Sequence, residues 1–312
     1  MNQSFKRFLS FLAIAGTGMY AFNKFIEFTS QSRNLTFYDD ENYYSWRNGT
    51  IFYQKKGKGK PILLIHDLNP ISSSIEWKNI IDRLSKNHTV YAIDLIGCGK
   101  SDKPEETYIN FLYVMLVNDF IQDIIQEKTD IVATGASFTF SVMASRMAPE
   151  QIDHLITINP SSISQNNELP DPISKCKKRI FELPIIGTFI YNMIARNNAI
   201  YQLFETKYYE NFTRIPSKLI DIYYEAAHLQ GSKGKFLYGS IVGNYTNINI
   251  DQSIELLDHP IIMILSKDYL QAKEYLKLNS KIKHYKINHC GYLPQLECPD
   301  KILKIIENEL DK

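Results

Sequence analysis

Asp130-Ile-Val-Ala-Thr-Gly-Ala-Ser-Phe-Thr139 reads as the end of a buried strand, a tight turn and the start of a helix. The apolar run up to Thr134 fits a strand covered on both faces. Ser137, in Gly135-Ala-Ser137, is then expected on the turn, its hydroxyl at the top of a sheet and at a helix N-terminus. A lone G-x-S is a weak signal, because serine is also an ordinary helix cap. The strand before it and the helix after it give it weight.

Working outward, the same alternation recurs. Thr50–Tyr53 reads as a short strand and Pro61-Ile-Leu-Leu-Ile-His66 as a fully buried one. Ser74–Leu84 carries a helical period through Ile75, Ile80, Ile81 and Leu84, and Val90–Asp94 is the next strand. A helix around Phe111–Gln126 precedes the opening stretch; a helix to Met147 and the strand Leu155–Asn159 follow it. Strands alternating with helices at this spacing argue an α/β class with a doubly wound, mostly parallel sheet. The alternation stops at Pro160. Residues 161–250 are helical, aromatic and polar, broken by Pro170, Pro172, Pro184 and Pro216. It resumes with Pro260–Leu265, a helix near Leu270–Leu278, the strand Ile282–Ile287 and a last helix from Pro299. The expected organisation is a hydrophobic segment (1–28), a first core part (29–160, its first residues a polar linker), a helical cap insertion (161–250) and a second core part (251–312). Ligands in open α/β sheets bind at the C-terminal edge of the strands, so the cap would govern access.

Bulk composition narrows the function. With a net charge of +1 over 312 residues, nothing suggests a nucleic-acid partner. No phosphate loop, metal constellation or cofactor motif is present, so no cofactor or metal is expected. Cys98, Cys176, Cys290 and Cys298 have no C-x-x-C spacing and decide no compartment. Lys6 and Arg7 precede an uncharged stretch, Phe8–Phe22, and residues 8–26 are just long enough to cross a bilayer, which takes ~17–25 residues as helix. A membrane anchor with the domain outside the cytoplasm is the leading expectation. A cleaved signal peptide and an ordinary packed helix are the alternatives.

Three further motifs carry a resemblance. Lys60-Pro-Ile-Leu-Leu-Ile-His66-Asp-Leu is similar to the strand and His-Gly turn of α/β hydrolases, and Asp94-Leu-Ile-Gly97-Cys-Gly99-Lys-Ser101 to their D-x-x-G-x-G-x-S loop. Gly291-Tyr-Leu-Pro-Gln-Leu-Glu297-Cys-Pro299 resembles their C-terminal G-H-x-x-x-x-E-x-P signature. With Ser137, these run in the right order from about residue 50 to the end. The nearest-looking branch is the capped one containing esterases, epoxide hydrolases and haloalkane dehalogenases; a serine in place of their aspartate nucleophile points away from the last two.

The resemblance implies a serine, an acid and a histidine in that order. Ser137 would be the nucleophile and Asp268 the acid, although Leu265 stands where the family has a glycine before it. The histidine position is Tyr292. A phenol titrates near pH ~10 and cannot readily take the serine's proton at neutrality. His289, three residues earlier, is the first substitute; His228 in the cap is the second. His66 is expected to support the oxyanion turn, whose backbone donors would be Phe138 and either Asp67 or Leu68. Asp67 and Thr139 replace family glycines, so three departures cluster at the site. Two readings follow. One is a membrane-anchored serine hydrolase of esters with a rearranged triad. The other is a catalytically inactive hydrolase-fold protein holding an apolar or ester-like small molecule, or a partner, under the cap. Cap aromatics such as Phe181, Tyr191, Phe204 and Tyr223 either line an apolar pocket or form helix-packing core.

Overall fold

In the computed structural model, residues 3–30, 35, 41–266 and 269–310 are described. The strands are β1 (Asn42–Trp46), β2 (Gly49–Lys56), β3 (Lys60–Ile65), β4 (His88–Ile93), β5 (Thr129–Thr134), β6 (Ile152–Ile158), β7 (Ile261–Leu265) and β8 (Lys283–Lys286). They form one sheet in the order β1-β2-β4-β3-β5-β6-β7-β8. The β1–β2 and β2–β4 pairs are antiparallel and the rest parallel. Successive side chains of a strand face opposite ways, so each central strand feeds two cores. Leu63, Ile65, Ile131 and Ala133 pack with Tyr113, Phe138 and Tyr275 on one face. Ile62, Leu64 and Val132 pack with Trp77, Leu84, Ile302 and Ile306 on the other. That double burial is why these strands read as unbroken apolar runs.

Among the described residues, the α-helices before β6 are α1 (Gln3–Ser30), α2 (Ile81–Leu84), α3 (Asn110–Phe120) and α4 (Ser137–Met147). Those between β6 and β7 are α5 (Ile163–Asn166), α6 (Pro172–Glu182), α7 (Ile186–Ile194), α8 (Asn197–Leu203), α9 (Ser217–His228), α10 (Gly234–Val242) and α11 (Asp251–Glu255). Those after β7 are α12 (Tyr269–Leu278), α13 (Pro294–Glu297) and α14 (Pro299–Leu310). The aromatics of the intervening helices pack on one another. Phe204 meets Tyr223 edge-on with ring centroids 4.8 Å apart, and Tyr208 and Tyr224 join the same cluster with Ile71 and Leu293.

Three expectations change. Residues 42–46, taken as linker, form edge strand β1, joined to β2 through a two-residue turn at 47–48. Its Asn-Tyr-Tyr-Ser-Trp text lacks both an apolar run and clean alternation because the exposed face carries Tyr43 beside Tyr44 of the inner face. The helix expected over Ser74–Leu84 is a 3-10 turn (Ser74–Trp77) and then α2, because the Asp94 carboxylate accepts the Ser74 N–H at 2.6 Å and fixes the chain there. Among the described residues no helix is long and apolar enough to cross a membrane, so the spanning anchor expected over residues 8–26 has no support. The C-terminal part of α1 instead packs on α7: Phe22 meets Phe189 at 5.4 Å, and Asn23 donates to the Ile185 carbonyl at 3.1 Å.

Candidate functional site

β3 and β5 are parallel neighbours, so the turns that leave their C-terminal ends lie side by side. The residue after β5 is Gly135, with φ +61°, a left-handed conformation that glycine takes without strain. Its N–H donates to the Ile158 carbonyl at 3.0 Å, which ties the turn to β6. Ala136 follows and α4 begins at Ser137. On the β3 side, His66 and Asp67 leave the strand. The His66 Nε2 accepts the Leu95 N–H at 3.0 Å, so the ring proton sits on Nδ1 and is donated to the Asp67 carbonyl at 2.8 Å. Burial lowers the pKa of this imidazole, which is neutral and acts as a brace.

The Asp67 carboxylate joins the two turns. Its Oδ1 accepts the Ala136 N–H at 3.0 Å and its Oδ2 accepts the Tyr292 hydroxyl at 3.2 Å. A Cβ built on Gly135 would lie under 3.0 Å from both Asp67 and that hydroxyl. The space in front of Gly135 is therefore filled. Tyr292 is itself held firmly: its N–H donates to the Lys207 carbonyl at 3.0 Å, and its carbonyl accepts from the Asn159 amide at 2.8 Å. Its ring stacks on Tyr208 at 5.9 Å, and the Lys207 ammonium lies 4.1 Å from its centroid. Burial, then the Asp67 charge, pushes the Tyr292 phenol well above its ordinary pKa. It remains protonated and donates. Behind Asp67, Glu76 is fully buried and accepts the Asp67 N–H at 3.2 Å. Burial, with Asp67 adding to it, raises the Glu76 carboxyl well above the usual range.

Asp67, Ala136 and Tyr292 line a cavity of about 560 Å³ whose walls also include Leu68, Asn159, Asn244, Thr246 and Ser266. Among the described residues, the one group of side chains able to hold a metal is Asp130, Asp153 and His154, at the opposite end of β5. The Lys60 ammonium already pairs there with Asp130 at 2.9 Å and Asp153 at 2.6 Å.

A family model described as the alpha/beta hydrolase fold matches residues 60–183. A serine hydrolase involved in carbazole degradation superposes with a TM-score of 0.71 at 19% identity, over 87% of this chain and 98% of that one. The chain has the alpha/beta hydrolase fold. A membrane phospholipase A superposes at TM-score 0.70 and 16% identity over 100% of this chain and 98% of that one. Among curated relatives, an uncharacterized Mycobacterium tuberculosis protein is 28% identical over 110 residues, 35% of this chain and 32% of its own. A cis-3-alkyl-4-alkyloxetan-2-one decarboxylase from Shewanella oneidensis is 27% identical over 133 residues, 41% of each chain. The chain thus spans 32% to 41% of the length of these relatives.

Within this alpha/beta hydrolase fold the sequence-expected site residues separate. Asp67, Leu68 and Tyr292 meet at the cavity. Ser137 does not. It is the first residue of α4, fully buried, and its hydroxyl donates to the His66 carbonyl at 2.5 Å. Ser137 was expected on the turn; the strand ends at Thr134 as expected, but the turn takes only Gly135 and Ala136, so Ser137 already opens α4. The Phe138 N–H, expected as an oxyanion donor, is spent on the Gly135 carbonyl at 3.3 Å. His289 is exposed, directly before Cys290 of the Cys290–Cys298 disulfide, and does not line the cavity. His228 is buried in the intervening helices, with Nδ1 at 2.8 Å from the Tyr224 carbonyl. Asp268 lies outside the described residues. None of the aromatics expected to line an apolar pocket reaches this cavity. Gly135, Ala136 and Glu76 escaped the sequence reading; the signal available for the first two was a glycine directly after a buried strand.

Proposed function

We propose that this chain is a non-catalytic hydrolase-fold protein that holds a small ligand in the cavity above Asp67 and Tyr292. The observation that carries this reading is Gly135. A serine nucleophile in this fold stands on the sharp strand-to-helix turn, and the N–H of the next residue helps to bind the oxyanion. The turn residue here has no side chain, and the next N–H, of Ala136, already serves Asp67. Tyr292, read as standing at the histidine position, is a protonated donor and supplies no base. Loss of members of a serine triad costs on the order of 10⁶ in turnover. The nucleophile, base and oxyanion donor would all be missing together.

The test is exposure of the whole chain to a fluorophosphonate serine probe between about pH 6 and 9, beside Ser137→Ala. The expected result is no Ser137-dependent labelling. Labelling that disappears in Ser137→Ala would overturn the reading and restore the hydrolase.

Residues 161–250 are read as the cap, supported by Thr206, Lys207 and Ile241 in the cavity wall. The start of α1 is read as an interfacial attachment to an anionic lipid surface rather than a span. Its support is the exposed Phe5, Leu9, Phe11 and Ile14 beside Lys6 and Arg7. Flotation of the chain with phosphatidylglycerol vesicles, lost in Phe11→Asp/Ile14→Asp, is the expected outcome; no flotation of the wild-type chain would overturn it.

A further inference from the structure

We infer that the cavity accepts a neutral, hydroxyl-rich molecule of monosaccharide or polyol size. This rests on the binding reading above and supplies its ligand class. The volume, about 560 Å³, is in the ordinary range for small-molecule sites, but the lining is not ordinary. Such sites are predominantly apolar with a few placed polar groups. Here polar and apolar surface are about equal: Leu68, Ala136, Pro160 and Ile241 are the aliphatic lining, and side-chain amides and hydroxyls make up most of the other lining residues, with Asp67, Glu168 and Lys207 the charged ones. An apolar ligand would strip water from those groups without replacing its hydrogen bonds, at a cost for each one.

The floor sets the sign. Asp67 uses one hydrogen bond at each carboxylate oxygen, from Ala136 at 3.0 Å and Tyr292 at 3.2 Å, and an ionised carboxylate can accept about four. What remains on this cavity-lining group is acceptor capacity, which calls for a ligand that donates. An ester carbonyl or a carboxylate would meet the Asp67 carboxylate at the floor and Glu168 in the wall, while Lys207, the cation of the lining, is engaged over the Tyr292 ring. A quaternary cation would need open aromatic faces. The faces of Tyr292 are taken by Lys207 and Tyr208.

The walls supply both kinds of partner. The Asn244 amide and the Thr246 hydroxyl line the cavity with no hydrogen bond to another described side chain or carbonyl. Ser266 Oγ accepts from the Asn159 amide at 2.8 Å and keeps its own proton to donate. A hydroxyl is donor and acceptor at once, so a ligand bearing several satisfies Asp67, Asn244, Thr246 and Ser266 together. One hydroxyl on a hydrocarbon chain would satisfy Asp67 and leave the rest unpaired.

Calorimetric titration of the full chain tests this, with glucose, N-acetylglucosamine, sorbitol and myo-inositol as probes and hexanol, acetate and choline as contrasts. Saturable binding of at least one of the first four, and of none of the contrasts, is expected. That binding should weaken at least tenfold in Thr246→Val and in Asp67→Asn, the loss expected for one hydrogen bond to a charged or enclosed partner. Thr246→Val keeps the test valid if the Asp67 variant folds poorly. Saturation by hexanol, acetate or choline, or by no polyol at tens of millimolar, would overturn the inference. Serine labelling with polyol binding intact would overturn the non-catalytic reading alone. Absence of both would overturn the ligand class alone.

Discussion

The Tyr292 hydroxyl occupies the space into which a side chain on Gly135 would project, since a Cβ there would lie under 3.0 Å from it. The two residues exclude one another, so their substitutions should couple. Gly135→Ser alone should destabilise by about 2–4 kcal/mol, combining left-handed backbone strain with overpacking. Tyr292→Ala removes one of the two obstructions and leaves Asp67 freer to move aside, so in urea unfolding the loss of the double variant should fall short of the summed losses by about 1 kcal/mol or more. Additive losses would show that the two do not share that volume.

Asp67 is the other half of the obstruction. Asp67→Gly leaves the Ala136 N–H and the Tyr292 hydroxyl without their shared partner, at about 2–3 kcal/mol. It also opens a backbone donor that acetate can reach. Acetate should therefore raise the Tm of Asp67→Gly and leave the wild-type Tm unchanged. Equal response of the two proteins would place the anion elsewhere.

Glu76 makes a pH prediction. Burial, then Asp67, raises its folded-state pKa, so the folded chain keeps a proton that the unfolded chain releases. For a raised acid the penalty is absent below the unfolded value, near ~4.3, and grows as pH rises above it. Glu76→Gln should be more stable than wild type at pH 7, and the gap should close as pH falls below about 4.3. A pH-independent difference in urea midpoint would contradict this.

His228 works in the opposite direction. Burial lowers its pKa to about 4, so below the usual value near ~6.5 the unfolded chain binds a proton the folded chain does not. Stability tied to this ring is present above about pH 6.5 and falls as pH drops toward 4, by on the order of 3 kcal/mol. A His228→Gln variant should lack that part of the slope. Because Glu76 and His228 act with opposite signs, the variants are needed and the wild-type curve alone is ambiguous.

Much of the sheet was legible because β3, β5 and β7 are buried on both faces and must be written in continuous apolar residues. β1 was not, since an edge strand with aromatics on adjacent residues leaves no period to read. At the site, the strand end at Thr134 was legible, but the pattern Gly135-Ala-Ser137 matched a familiar spacing and hid that Gly135 itself takes the left-handed turn position. The Thr134–Ile158 register and the Gly135 bond to Ile158 set it. Asp67 and Tyr292 each stood out in the text as departures. That they are hydrogen-bonded, 225 residues apart, is a fact of folding alone. The aromatic residues of the intervening helices were ambiguous for a different reason: rings that pack on rings and rings that line a pocket have the same composition.

The carboxylate of Asp67 is also a tethered competitor. It is delivered to the Ala136 N–H by a turn that the fold already holds in place, so no translational freedom is lost when it binds. A free acyl compound competing for the same N–H would have to give up that freedom and would meet the Asp67 carboxylate already in place. A ligand reaches that N–H only by displacing the carboxylate and leaving the Tyr292 hydroxyl without its acceptor.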